Sequence, residues 1–228
     1  MKPIWIILSL FFFTLMISCD PAVVFNSPQP EGVEIQDNFD PEFRGTFMCE
    51  SDSSIVVVDT HIVYKRHWYD FAIPKERVEE DPNIIRSGDL LYIKDKGKCA
   101  IYKVQNDSIF GSLPLTDTLF MMDGKTHVLK SYKGHQILSL KMNEGKYEVA
   151  VLSLDEDLNI QLKYATLPGE LEQLEQITPV EDISHDEVEQ YMIRPTRMEF
   201  DEILRQEIVF ETCEYFRRVS VPNSYLFF

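Results

Sequence analysis

The run from His135 to Leu154, HQILSLKMNEGKYEVAVLSL, decides the fold class of this chain. Apolar and polar residues alternate on either side of Glu144-Gly145, the pattern of two antiparallel strands joined by a turn. With Glu144-Gly145 as a tight turn, Met142 faces Tyr147, Leu140 faces Val149 and Leu138 faces Val151, so six apolar side chains share one face. The opposite face then sets Lys141 against Glu148, an opposite-charge cross-strand pair. The following segment continues the alternation, with Ile160, Leu162 and Tyr164 interleaved with Asn159, Gln161 and Lys163.

Similar short β-type runs extend outward from this hairpin. Lys96-Gly97, Asn106-Asp107, Asp123-Gly124, Lys133-Gly134 and Asp155-Glu156 supply further turn centres, most of them ten or eleven residues apart. That spacing predicts a mainly β fold, an antiparallel meander closing as a barrel or a sandwich. Around Lys96-Gly97, Leu91 and Ile93 share a face with Ala100 and Tyr102, while Leu90, Tyr92 and Ile101 populate the other. Both faces of this part of the sheet are therefore expected to be covered. Residues 74–82, with Pro74, Pro82 and the charges between them, read as a long loop. From Glu170 to Glu202 eleven acids stand against two arginines, and short helices are expected across about 168–206. Thr196 followed by Glu199 is a capping-box pattern that starts one of them, with Phe200, Ile203 and Leu204 on one helical face. A last strand over about 208–219 should place Ile208, Phe210, Thr212 and Phe216 on one side.

The chain of 228 residues carries a formal net charge of −16. Such an acidic surface disfavours nucleic acid and a polybasic grip on anionic lipid. Its length suits one substantial domain, expected at 42–228.

The first eighteen residues have one positive charge, Lys2, before an apolar run from Ile4 to Ile17, the composition of a secretory signal and too short to span a bilayer comfortably. Leu15, Met16, Ser18 and Cys19 resemble the lipobox of bacterial lipoproteins, with Met16 where the family usually has Leu. The resemblance implies cleavage after Ser18, acyl chains such as palmitate on Cys19, and a membrane-anchored protein of the bacterial cell envelope, in either membrane and facing either compartment. Removing residues 1–18 takes away one positive charge and leaves −17. Residues 19–41, with Pro21, Pro28 and Pro30, read as a flexible tether that could hold the domain some 50 Å from the lipid. A second, weaker resemblance is to the lipocalin-like (calycin) β-barrels: Gly45-Thr46-Phe47 stands where that family has Gly-x-Trp. It implies that Arg217 or Arg218, on the closing strand, packs over the aromatic ring.

The most unusual segment is basic and aromatic, from His61 to Tyr69, and holds the chain's second tryptophan. In a strand His67 and Tyr69 share one face, and Tyr64, Arg66 and Trp68 the other. These five are the candidate binding residues, able to stack on a sugar or peptide and engage a carboxylate; an inward-packing strand is the competing reading. Cys49, Cys99 and Cys213 are expected to be small buried hydrophobes. Asp155, Asp157 and Asn159 take alternate places of a calcium loop, but Ile160 and Thr166 fill the positions that need Gly and Glu. His127 and His135 are not opposite one another, and His185 beside Ser184 and Asp186 is adjacency without geometry. Nothing in the pattern names a catalytic residue, a metal ligand or a cofactor. The residues therefore favour a non-enzymatic binding domain for a small apolar ligand or an envelope component. A structural or assembly protein that docks a protein partner is the alternative, and an envelope hydrolase comes third.

Overall fold

All six turn dipeptides fall between strands of the protein, whose computed structural model describes residues 21–167, 169, 171–185 and 188–220. Cys19 and the aromatic ending Ser224–Phe228 lie outside the described residues, as does the side chain of Cys213. In chain order the strands are β1 (Val23–Phe25), β2 (Ile35–Gln36), β3 (Gly45–Met48), β4 (Ile55–Val58) and β5 (Ile62–Pro74). Helix α1 (Lys75–Glu80) follows, then β6 (Ile84–Ser87), β7 (Leu90–Ile93), β8 (Lys98–Gln105) and β9 (Ser108–Met121). The next run is β10 (His127–Tyr132), β11 (His135–Lys141), β12 (Tyr147–Leu154) and β13 (Ile160–Ala165). The chain continues with α2 (Leu171–Glu175), β14 (Val180–Asp182), β15 (Tyr191–Ile193), α3 (Arg197–Gln206) and β16 (Phe210–Arg218).

These strands form one mainly antiparallel sheet, with β1–β15 as its parallel pair. The meander is as the turns predict, but the sheet does not close into a barrel. Closure would need the free edge of β10 to meet the β3–β4–β5 half; that edge instead pairs with β2 through Leu129↔Gln36 and Lys130↔Ile35. The sheet curls enough to enclose a core on its concave side, with Phe39, Phe43, Phe47, Phe120, Leu138 and Phe216 at its centre. The convex side of β11–β12–β13 is covered by α2, α3 and β1, where Phe25, Phe200 and Phe210 meet ring to ring. Strand β12 is consequently buried on both faces. Helix α3 begins where expected: the Thr196 hydroxyl accepts from Glu199 N–H, and the Glu199 carboxylate accepts from Thr196 N–H.

Four expectations are corrected here. Residues 21–41 are packed against the domain and are not a free tether. Val23, Val24 and Phe25 are fully buried, Phe39 enters the concave core, and the Lys130 ammonium donates to Pro28 O (2.8 Å) and Pro30 O (2.7 Å). Asp40 Oδ2 accepts from Ser131 Oγ (2.9 Å) and Gln136 Nε2 (2.5 Å), which fixes the end of this strap. The β11–β12 register differs by one residue, because the turn spans Met142 to Lys146, closed by Met142 N–H to Lys146 O at 2.7 Å. Leu140 therefore faces Glu148, Leu138 faces Ala150 and Lys141 faces Tyr147; a one-residue slip turns every side chain over. Phe210 and Phe216 point to different clusters, since a bulge between Leu162↔Glu214 and Lys163↔Thr212 inserts one residue into β16. Lastly, residues 75–80, expected as loop, are helical.

The aromatic ring near the start of the meander carries the arginine that the lipocalin-like resemblance implies. The Arg218 guanidinium lies 4.6 Å over the Phe47 ring and donates to Arg44 O (2.9 Å), Leu158 O (3.1 Å) and Glu42 O. At Gly45, φ is +153° and a Cβ would stand 2.7 Å from the Arg218 guanidinium, so glycine keeps both the backbone turn and the arginine in place.

Candidate functional site

Beyond Arg66, strand β5 loses its partner β4 and continues only with β9. The nine residues from Arg66 to Pro74 carry the ladder roughly 25 Å past the body. Strands β8, β7 and β6 add to it in that order, making a five-stranded arm. Alternation divides its side chains into two faces. Phe71, Ile73, Leu91, Ala100, Tyr102 and Ile109 lie on one, beneath Val78 of α1. Gly111 sits opposite Phe71, and a Cβ there would come within 2.3 Å of the ring; the glycine lets the phenyl group lie flat across the strand. Around this face Arg86 Nε donates to the Tyr102 hydroxyl (3.1 Å), and Lys75 and Arg86 each approach Glu79 at 3.4 Å.

The other face has no cover. Register places Asp70, Ser112, Ile101, Leu90 and Ser87 in one row. Cys99, Tyr92 and Ile85 form the next, beside the Trp68–Pro114 pair, with Ala72, Phe110 and Lys103 on the far side. Trp68 is 49% exposed, Leu90 45%, Ile101 51% and Phe110 45%. Two hollows mark it. One of about 500 Å³ lies among Trp68, Leu90, Cys99, Ile101 and Pro114, and one of about 540 Å³ near Asp70, Ile101, Lys103 and Phe110. The expectation that both faces of the Lys96-Gly97 hairpin are covered is thus corrected: the chain supplies one short helix, and it covers one side. Contiguous exposed apolar surface of this kind marks interaction sites.

The five candidate residues are divided by the same alternation. Tyr64, Arg66 and Trp68 lie on the uncovered side, with the Arg66 guanidinium 5.3 Å over the Tyr64 ring. His67 and Tyr69 point the other way, and His67 Nδ1 lies 3.5 Å from Asp117. The five do not converge on one ligand. Lys65 is turned inward, paired with Glu214 at 2.8 Å and 5.6 Å from the Phe216 ring centre. Cys99 is exposed on the uncovered face and Cys49 is half-buried with its thiol 3.0 Å from Ser51 Oγ, so neither is the buried hydrophobe expected.

The concave core leaves a cavity of about 60 Å³ beside Val63, Leu119, Leu140, Leu162 and Tyr164. That is far below the several hundred Å³ of a ligand pocket. Glu148 reaches it, and burial there pushes the carboxyl above its usual range. Sequence reasoning placed Glu148 on the solvent face because it assumed a two-residue turn. The Asp155 loop is closed on itself: its carboxylate accepts from Asp157 N–H, Asn159 N–H and Nδ2, and the Tyr215 hydroxyl, and these bonds hold it ionised below its usual range. Among the described residues no three His, Cys, Asp or Glu side chains gather as a metal site. His135 Nδ1 meets Ser153 Oγ at 2.8 Å, and burial lowers its pKa. The backbone of His185 bridges to Val188.

The chain matches no family model, no curated protein and no solved structure.

Proposed function

We propose that this is a bacterial envelope protein, lipid-anchored through Cys19, whose arm presents a docking surface to a protein of the envelope, in a non-enzymatic role. The uncovered apolar face of the arm carries the reading. A filled concave core argues against carriage of an apolar ligand inside the sheet, and so favours the assembly reading over the ligand-binding one. The anchor has a geometric consequence. Cys19 precedes Val23 by four residues, at most about 14 Å of chain, so the anchored body rests at the membrane surface and is not held some 50 Å away.

Site-directed photo-crosslinking tests this. A benzophenone on Cys99, with the other cysteines except Cys19 replaced by serine, is expected to yield a discrete adduct with an envelope protein in intact cells. The same probe on Met198→Cys, an exposed position of α3, is expected to yield none. Equal labelling from both positions contradicts a dedicated surface. Metabolic labelling with a palmitate analogue tests the anchor, and an unlabelled chain that retains residues 1–18 contradicts it.

A further inference from the structure

The charge of this protein is unevenly distributed, and the uneven part coincides with the arm. From Arg66 to Thr116 there are eight Lys or Arg and eight Asp or Glu, so the arm is neutral and the whole net charge of −16 lies in the rest of the chain. Like charge on this scale opposes contact between copies of the body. The arm is the exception. It is neutral, it extends roughly 25 Å beyond β4, and that separation exceeds the Debye length of about 8 Å at physiological salt. Two copies can therefore meet arm to arm while their acidic bodies stay apart.

The uncovered face also has the area and the chemistry that such a contact needs. Trp68, Ile85, Leu90, Tyr92, Ile101 and Phe110 are each between 41% and 51% exposed. With large apolar side chains offering about 150–250 Å² each, these six present roughly 500 Å² per copy. Adding the rim approaches the roughly 800 Å² per partner of a specific interface. Flat sheet faces pack on one another about 10 Å apart with their strands nearly aligned. The polar groups on the face are self-complementary: Asp70, which accepts from Ser112 Oγ at 2.6 Å, and Lys103 lie in adjacent groups of the same face. A two-fold axis through that face brings Asp70 of one copy toward Lys103 of the other, the isologous arrangement of most homodimers.

We infer that the occupant of the arm's apolar face is a second copy of this chain, packed face to face about a two-fold axis. The inference rests on the reading of this face as a docking surface and names its partner. Apolar contact between like-charged molecules is strengthened by salt, because screening removes the repulsion and leaves the burial; docking onto an oppositely charged partner is weakened by it.

Sedimentation equilibrium of the Cys19-anchored chain in density-matched detergent tests this against the mass of one such chain measured by mass spectrometry. The expected result is twice that mass, with the dimer retained as salt is raised above the physiological level. Leu90→Asp and Ile101→Asp, both on exposed positions and expected to melt with the wild type, should each return the single mass, whereas Met198→Asp should not. A wild-type chain that stays monomeric up to about 50 µM overturns the inference, as does a dimer broken by Met198→Asp and untouched by Leu90→Asp. The two failures separate at Cys99. A monomer whose Cys99 probe still labels a different envelope protein overturns self-pairing and leaves the docking surface, while a monomer with no adduct removes both.

Discussion

The curled body and the projecting arm are made of the same hairpins, yet they treat their second face in opposite ways. In the body, β12 alternates Val149 and Val151 with Ala150 and Leu152, and both sets are buried, one under α3 and β1 and the other in the concave core. In the arm, Leu91 and Ala100 are buried while Leu90 and Ile101 beside them stand in solvent. A strand with two apolar faces is thus not itself a statement of burial. The cover must come from elsewhere in the chain, and residues 21–41 and the acidic segment both went to the body.

Substitutions across the two regions should follow that contrast. The largest loss is expected for Phe216→Ala in the concave core, about 3–5 kcal/mol from urea unfolding; a loss below 1 kcal/mol would mean the body is not packed as described. Next comes Arg218→Met, which strips a cation from the Phe47 ring and leaves three carbonyls without their donor. It should cost about 2–3 kcal/mol. Lys130→Met frees Pro28 O and Pro30 O, with an expected loss of about 1–2 kcal/mol and faster proteolysis within residues 26–36. Unchanged proteolysis there would return this stretch to the status of a tether.

Glu148→Gln sharpens the comparison through pH. Burial raises the Glu148 carboxyl in the folded chain, so its contribution to stability is complete below the usual carboxylate range and is lost as pH rises through the raised value. The glutamine variant should therefore melt above the wild type at pH 7 and together with it below about pH 4. The smallest effect belongs to the arm: Ile101→Ser should shift the stability of the single chain by no more than about 0.5 kcal/mol, since it removes nothing from a packed interior.

Much of this architecture is legible in the sequence. Alternation and turn dipeptides mark most of the strands, and Thr196 with Glu199 marks the start of α3. Gly45, Phe47 and an arginine at the end of the last strand mark the cap over the ring. What was not legible depended on single residues of offset or on distant cover. A turn one residue longer than assumed moves Glu148 from solvent to the cavity, and one bulged residue sends Phe210 and Phe216 to opposite clusters. The prolines that suggest a flexible 19–41 are compatible with an extended strap once Lys130 and Asp40 hold it. The docking face was half visible: Trp68, Leu90, Tyr92 and Ile101 were recognised as apolar, but no local pattern says that nothing packs upon them.

Trp68 offers the most direct measurement, because in a Trp5→Phe chain it is the sole tryptophan and it stands on the uncovered face. Its emission should be that of a solvated indole in dilute protein and should shift to the blue as concentration rises, with Leu90→Asp abolishing the shift. An emission maximum that is already blue at the lowest concentration, or that never moves while the wild type remains monomeric, would contradict an arm that is bare in the single chain and covered by a second copy.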